Sequence, residues 1–170
     1  MDSQSLRSIQ SPLKAKYRED PDAALVTLEA EGLLGKDLTV EVRTKHYSIL
    51  AGPHPATGGS GAEACSADML LAALAACAGV TLSSVATALD IPLRNAKVSA
   101  SGVLDFRGTL GVSKEVPVGF KNIRLHFDLE TDAQSEKIES LLKLTERYCV
   151  VLQTLKNTPE LSVTSQTHNL

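Results

Sequence analysis

From Met69 to Val80 the chain carries no charged side chain. Apolarity on every side predicts a helix buried on most of its surface. Ser66 is placed to cap its N-terminus, and Asp68 falls in the first turn, where a negative charge suits the helix dipole. Ala72, Ala73, Ala75, Ala76, Ala78 and Gly79 keep the helix thin. A thin helix lets a second one approach closely, so it belongs at the centre of a domain or of a dimer. The run is too short and too Ala-rich to span a bilayer, which needs about 20 apolar residues. Asp90-Ile91-Pro92 closes it.

Strand patterns lie on both sides of this helix. Ala24, Val26, Leu28 and Ala30 alternate with Leu25, Thr27 and Glu29, and Gly32 to Asp37 reads as a turn. Leu38, Val40 and Val42 alternate with Thr39, Glu41 and Arg43, and Tyr47 to Ala51 is a third strand. Together they predict an antiparallel meander. Gly52 to Gly61 is a loop by composition, and it lacks the Gly-Lys-Ser/Thr of a phosphate cradle. Beyond the helix, Val98, Ala100 and Gly102 alternate with Lys97, Ser99 and Ser101. Ile123, Leu125, Phe127 and Leu129 alternate strictly with polar neighbours. Gly108 to Gly119 connects these two strands. Thr131 or Asp132 can cap a helix running to about Arg147. The run Cys149 to Leu155 continues that helix or starts a short second one, and Leu161 to Thr167 is a last strand. The fold class is α+β. Residues 1–21 form a partly helical extension whose pattern is interrupted by Pro12, and 22–170 form one domain.

A chain of 170 residues can build a core without disulfide or metal staples. A net charge of −3 with 4% aromatics gives no basic or base-stacking surface for nucleic acid. No basic segment followed by an apolar run opens the chain, so the expected location is the cytoplasm, away from membranes. Three cysteines are no disulfide framework, and in a reducing compartment they are free thiols.

Those thiols are the main source of chemistry. Cys77 lies mid-helix and Cys149 follows Arg147-Tyr148. The ordinary explanation for each is packing, because Cys behaves as a small buried apolar residue. A nearby cation such as Arg147 lowers a thiol pKa, and so does a helix N-terminus such as the one beside Cys65. Along an unbroken helix, Cys65 and Cys77 stand roughly 18 Å apart, whereas a disulfide needs Cα atoms within about 7 Å. Cys77 and Cys149 lie on different helices, and the sequence permits them to face one another. The histidines His46, His54, His126 and His168 form no ligand pair, and no Cys-x-x-Cys exists, so no metal or other cofactor is expected. No nucleophile elbow or dinucleotide fingerprint is present.

The order of parts, with the string Leu70-Leu71-Ala72-Ala73-Leu74-Ala75-Ala76-Cys77 and the later Tyr148-Cys149-Val150-Val151, resembles the OsmC/Ohr family of thiol-dependent peroxidases over residues 22–167. The resemblance implies antiparallel sheets around a central Cys-bearing helix in an intertwined homodimer. It implies a peroxidatic thiol at Cys77, a resolving thiol at Cys149, an organic hydroperoxide as substrate and a dithiol of lipoyl type as reductant. Family members carry a Pro-Glu pair ending ten residues before the first Cys; here those positions are Ser66 and Ala67. Asp68, nine residues away, points to the opposite side of the helix. Glu63 is the stand-in carboxylate, and Arg43 is the expected thiolate-stabilising cation. The other readings of the same fold are a dimer that binds a small apolar ligand and a thiol sensor without turnover.

Overall fold

The computed structural model describes residues 1–168. Helix α1 (Ser3–Glu19) opens the chain, capped by the Asp2 carboxylate, which accepts from the Ser5 N–H at 2.7 Å. Pro12 lies inside α1 and does not break it, contrary to the interruption expected from the sequence. Proline removes one backbone donor there, and the turns on either side keep their own hydrogen bonds.

A 3-10 turn over Pro21–Ala24 leads to a three-stranded antiparallel sheet in the order β1 (Ala30–Leu34), β2 (Val40–Thr44), β3 (Ser48–Ala51). The meander is as expected, but its first strand is displaced. Leu25–Glu29 form no strand, and β1 occupies residues assigned to the turn. The reason is register. A tight turn at Lys36–Leu38, closed by Gly35 N–H to Thr39 O at 2.8 Å, sets Leu34 opposite Val40 and Ala30 opposite Thr44. Pairing selects the strand that reaches the turn, over the stretch with the better alternation.

After the Gly52–Gly61 loop comes α2 (Ser66–Ala88). Cys65, not Ser66, is its N-cap residue, and its side chain makes no capping bond. The C-terminus closes in a Schellman motif: Ile91 N–H donates to Ala86 O at 2.9 Å and Asp90 N–H to Thr87 O at 3.3 Å. Asp90 holds the left-handed position with φ 51°. A β-carbon is strained there and glycine is not. Asp90→Gly is therefore expected to stabilise the fold by about 0.5–1 kcal/mol, measured as a rise in the urea midpoint with unchanged slope.

Strands β4 (Asn95–Val103) and β5 (Asn122–Glu130) form a second antiparallel pair. Their register sets Val98 opposite Phe127 and Ala100 opposite Leu125, which builds one apolar face. A short helix, α3 (Phe106–Thr109), lies in the connection. Helix α4 (Ser135–Tyr148) starts after Gln134, later than the expected caps Thr131 and Asp132, and α5 (Val150–Lys156) follows. Thr131 Oγ1 instead donates to Pro92 O at 2.6 Å and accepts the Ala133 N–H, joining the segment that enters β4 to the one that leaves β5. The expected strand at Leu161–Thr167 does not form: the segment has no strand partner and is exposed, Val163 to 97%.

The core lies between α2 and its neighbours β4, α4 and α5. Leu82, Ala86, Ile91 and Leu141 form one buried cluster, and Leu74, Ala78 and Cys149 form the other. Only one stripe of α2 is buried. Ala72, Ala73, Ala76 and Val80 on its other side are exposed, so within a single chain this helix is not enclosed as its composition predicts. By length and composition alone α2 could cross a membrane, but here its buried stripe packs on protein. The β1–β3 sheet makes no extensive contact with the helices.

Candidate functional site

Cys77 and Cys149 meet at the point where α2 passes the junction of α4 and α5. Cys149 closes α4, donating its N–H to Thr145 O at 3.0 Å, and its own carbonyl accepts from Gln153 at 2.9 Å to start α5. The junction is braced on the outside. Gln153 Nε2 donates to Glu146 O at 2.7 Å, and Lys156 pairs with the Glu146 carboxylate at 3.1 Å. Inside, the buried Thr145 hydroxyl donates to Leu141 O at 2.8 Å. Cys149 is fully buried, while Cys77 is half-buried and packs against its cluster. Both are free thiols.

The two sulfurs have different acidities. Burial pushes the Cys77 thiol up. The Val151 N–H, the Cys149 S–H, the Val150 N–H and the Thr81 hydroxyl together outweigh that effect and hold it below the ordinary thiol range. For Cys149, burial dominates and raises the thiol pKa, and the neighbouring Cys77 raises it further. The two thiols are thus shifted in opposite directions, Cys77 down and Cys149 up, with the Cys149 S–H donating to Cys77. Thiolate is the nucleophilic form of a cysteine, and the donors around Cys77 favour it there.

Alkylation by iodoacetamide should accordingly occur first at Cys77, at a pH below that of an ordinary thiol, with Cys149 protected. Thr81, one turn beyond Cys77, donates its hydroxyl to Cys77 O at 2.8 Å and acts on the same sulfur. Thr81→Val should slow alkylation of Cys77 at neutral pH by no more than about 2-fold, below the weight of a full hydrogen bond of about 0.5–1.5 kcal/mol, because the hydroxyl proton is given to Cys77 O. Mass mapping of the labelled peptides measures both effects.

The structure brings Cys77 and Cys149 together and leaves Arg43 and Glu63 elsewhere in the chain. Arg43, on the polar face of β2, forms a two-pronged ion pair with Glu41 at 2.9 and 2.7 Å. Glu63 precedes α2, where its carboxylate accepts from Ser60 Oγ at 2.5 Å. Neither is among the groups acting on the Cys77 thiol. Cys65 is half-buried at the α2 cap. Thr81 and the amides of Val150 and Val151 were not identified from the sequence. The spacing of four from Cys77 to Thr81 on a helix was the available signal; the amides carry no side-chain signal at all. Among the described residues, no cluster of His, Cys, Asp and Glu could hold a metal ion.

An α+β chain with an acidic thiol set against a buried second thiol defines a cysteine-pair protein. Residues 59–164 match the family model described as OsmC-like protein. The chain therefore belongs to the OsmC-like family. Solved structures agree on the fold. An OsmC-like protein from Mycoplasma pneumoniae superposes with a TM-score of 0.66 at 17% identity, covering 78% of this chain and 89% of its own. An organic hydroperoxide resistance protein from Elizabethkingia anophelis gives 0.64 at 16% identity, covering 79% and 91%. The organic hydroperoxide resistance protein OsmC from Legionella pneumophila gives 0.61 at 21% identity, covering 79% and 92%. A search of curated proteins finds no match.

Proposed function

We propose that this protein is a thiol-dependent peroxidase that reduces organic hydroperoxides. The observation that carries the reading is the pairing itself: the half-buried Cys77, with donors around its sulfur that favour the thiolate, packs against the fully buried Cys149. The Cys77 thiolate attacks the distal peroxide oxygen and the O–O bond breaks. With one proton taken up, the alcohol leaves and Cys77 holds a sulfenic acid. Cys149 condenses with that acid, forming the disulfide and releasing water. A dithiol such as dihydrolipoamide then reduces the disulfide by exchange and is itself oxidised to its disulfide. The setting is a reducing compartment such as the cytoplasm.

The working form in this reading is a homodimer. The single chain exposes 13079 Å², whereas a folded monomer of its 18.0 kDa mass is expected to expose about 8,000 Å². The excess includes the Ala72–Ala73–Ala76–Val80 face of α2 and the leucines Leu33, Leu34 and Leu50 of the sheet. Burying such surfaces against a second copy is the direct remedy. Arg43 and Glu63 lie on the part of the chain that packs least on its own helices, so they enter the mechanism as groups a second copy would present.

The deciding experiment follows cumene hydroperoxide consumption under excess dihydrolipoamide, with thiol mass mapping alongside. Many turnovers with a transient Cys77–Cys149 disulfide are expected. A disulfide that forms once and is not recycled would make the protein a thiol sensor instead. If both thiols stay reduced while the peroxide persists, the redox reading fails.

A further inference from the structure

Helix α1 stands apart from the rest of the chain. It has 17 residues and none is buried. A helix of that length is marginal in water without tertiary packing. It meets the rest of the chain at its beginning, where Met1, Asp2 and Ser3 lie beside Leu82, Ala86 and Ile91 at the C-terminal half of α2. Beyond that root, Leu6, Ile9, Leu13 and Tyr17 recur at helical spacing along one side. Ile9 is 55% exposed, Leu13 46% and Tyr17 39%. The helix is also basic. Arg7, Lys14, Lys16 and Arg18 stand against Glu19, in a chain whose net charge is −3, so the rest of the molecule carries the acidic excess. The family model begins at residue 59, and α1 lies outside it.

We infer that α1 is an exchange arm whose Leu6–Ile9–Leu13–Tyr17 stripe packs on a second copy of this chain. The inference rests on the dimer reading above and adds to it a surface that the family model does not cover. Three observations choose this occupant. The stripe needs an apolar partner, and beyond the half-buried Leu6 its own chain leaves Ile9, Leu13 and Tyr17 exposed. The chain exposes far more area than a folded monomer of its mass. The arm's charge is opposite to that of the body it would lie on, which favours and orients the contact. A basic amphipathic helix can also lie on an anionic membrane, but here the acidic body would be repelled by that surface.

The test uses the full chain. Sedimentation equilibrium should find a dimer for the wild type, and Ile9→Glu with Leu13→Glu should weaken dimerisation by at least about 100-fold, while the Cys77 alkylation pattern is retained. A monomeric wild type overturns the dimer reading and the arm together. A dimer left unchanged by the double substitution overturns the arm alone. Should the variant fail to fold, the wild type decides. Equilibrated ¹⁴N and ¹⁵N protein, joined by zero-length carbodiimide coupling, should link Lys14 or Lys16 to carboxylates of the other isotope. Links confined to one isotope overturn the arm. So does co-sedimentation with phosphatidylserine vesicles that the double substitution abolishes while the dimer persists.

Discussion

Replacing Cys77 with serine is expected to abolish hydroperoxide reduction, lowering the rate by about 10³-fold or more, because a hydroxyl is far harder to ionise than a thiol and a far weaker nucleophile. The substitution exchanges sulfur for the smaller oxygen at a half-buried position and should leave the fold intact, so circular dichroism and the unfolding midpoint serve as controls. Cys149→Ser tests the other half of the chemistry. Its Cys77 should still react once, since the amides of Val150 and Val151 and the Thr81 hydroxyl remain in place. The product is then a sulfenic acid without its resolving thiol. Excess peroxide should carry it to sulfinic acid, a gain of two oxygens on the Cys77 peptide. Turnover with a dithiol should fall sharply in Cys149→Ser while the first oxidation stays close to wild type. If Cys149→Ser turned over normally, the buried thiol would have no part in recycling. The acidity difference also sets the pH profile. Because Cys77 is lowered, its rate should level off at a pH below the ordinary thiol range and fall on the acid side as the thiolate is protonated.

Leu141→Ala should cost about 2–5 kcal/mol of stability. Leu141 is completely buried in α4, in a cluster with Leu82, Ala86 and Ile91 and packed on by Val85, Phe127 and Leu129. Truncation leaves a cavity that the α2 backbone cannot close. At about 2–4 °C per kcal/mol for a chain of this size, the midpoint should drop by roughly 4–20 °C. Variant and wild type should be compared at equal protein concentration, because self-association contributes to apparent stability. A local consequence is specific to this fold. Leu141 O accepts the Thr145 hydroxyl, and Thr145 O accepts the Cys149 N–H. Loosening Leu141 therefore loosens the end of α4, and Cys149 should become alkylated faster in native buffer. A large loss of stability with Cys149 still protected would show that α5 alone holds the thiol in place.

Some of this was legible in the residues. The strict alternation Ile123–Leu129 became β5 with the expected face turned inward, because a period of two leaves a half-buried strand one choice of face. The uncharged run around Cys77 became a helix at almost the expected bounds, since nothing from Ser66 to Ala88 breaks it. The two thiols were singled out, and the open alternative after Cys149 resolved into a separate helix. Other features were not readable. Leu25–Glu29 alternate well and yet form no strand, because hairpin closure at Lys36–Leu38 fixed the pairing further along. Leu161–Thr167 have strand composition and no neighbour. Propensity describes what a segment tolerates, and hydrogen-bonded pairing decides which segment is used.

The sequence by itself determined the class of fold, the central helix and the identity of the reactive residue type. These follow from periodicity, charge and side-chain chemistry, all of which are local. Only the tertiary structure decided that Cys77 faces Cys149 across the α4–α5 junction, that the amides of Val150 and Val151 and the Thr81 hydroxyl act on its sulfur, and that within its own chain Arg43 pairs with Glu41. The acidity of a thiol depends on which donors surround it and how much water reaches it. Both are set largely by elements distant from α2 in the chain, brought together by burial of the cluster around Leu74, Ala78 and Cys149.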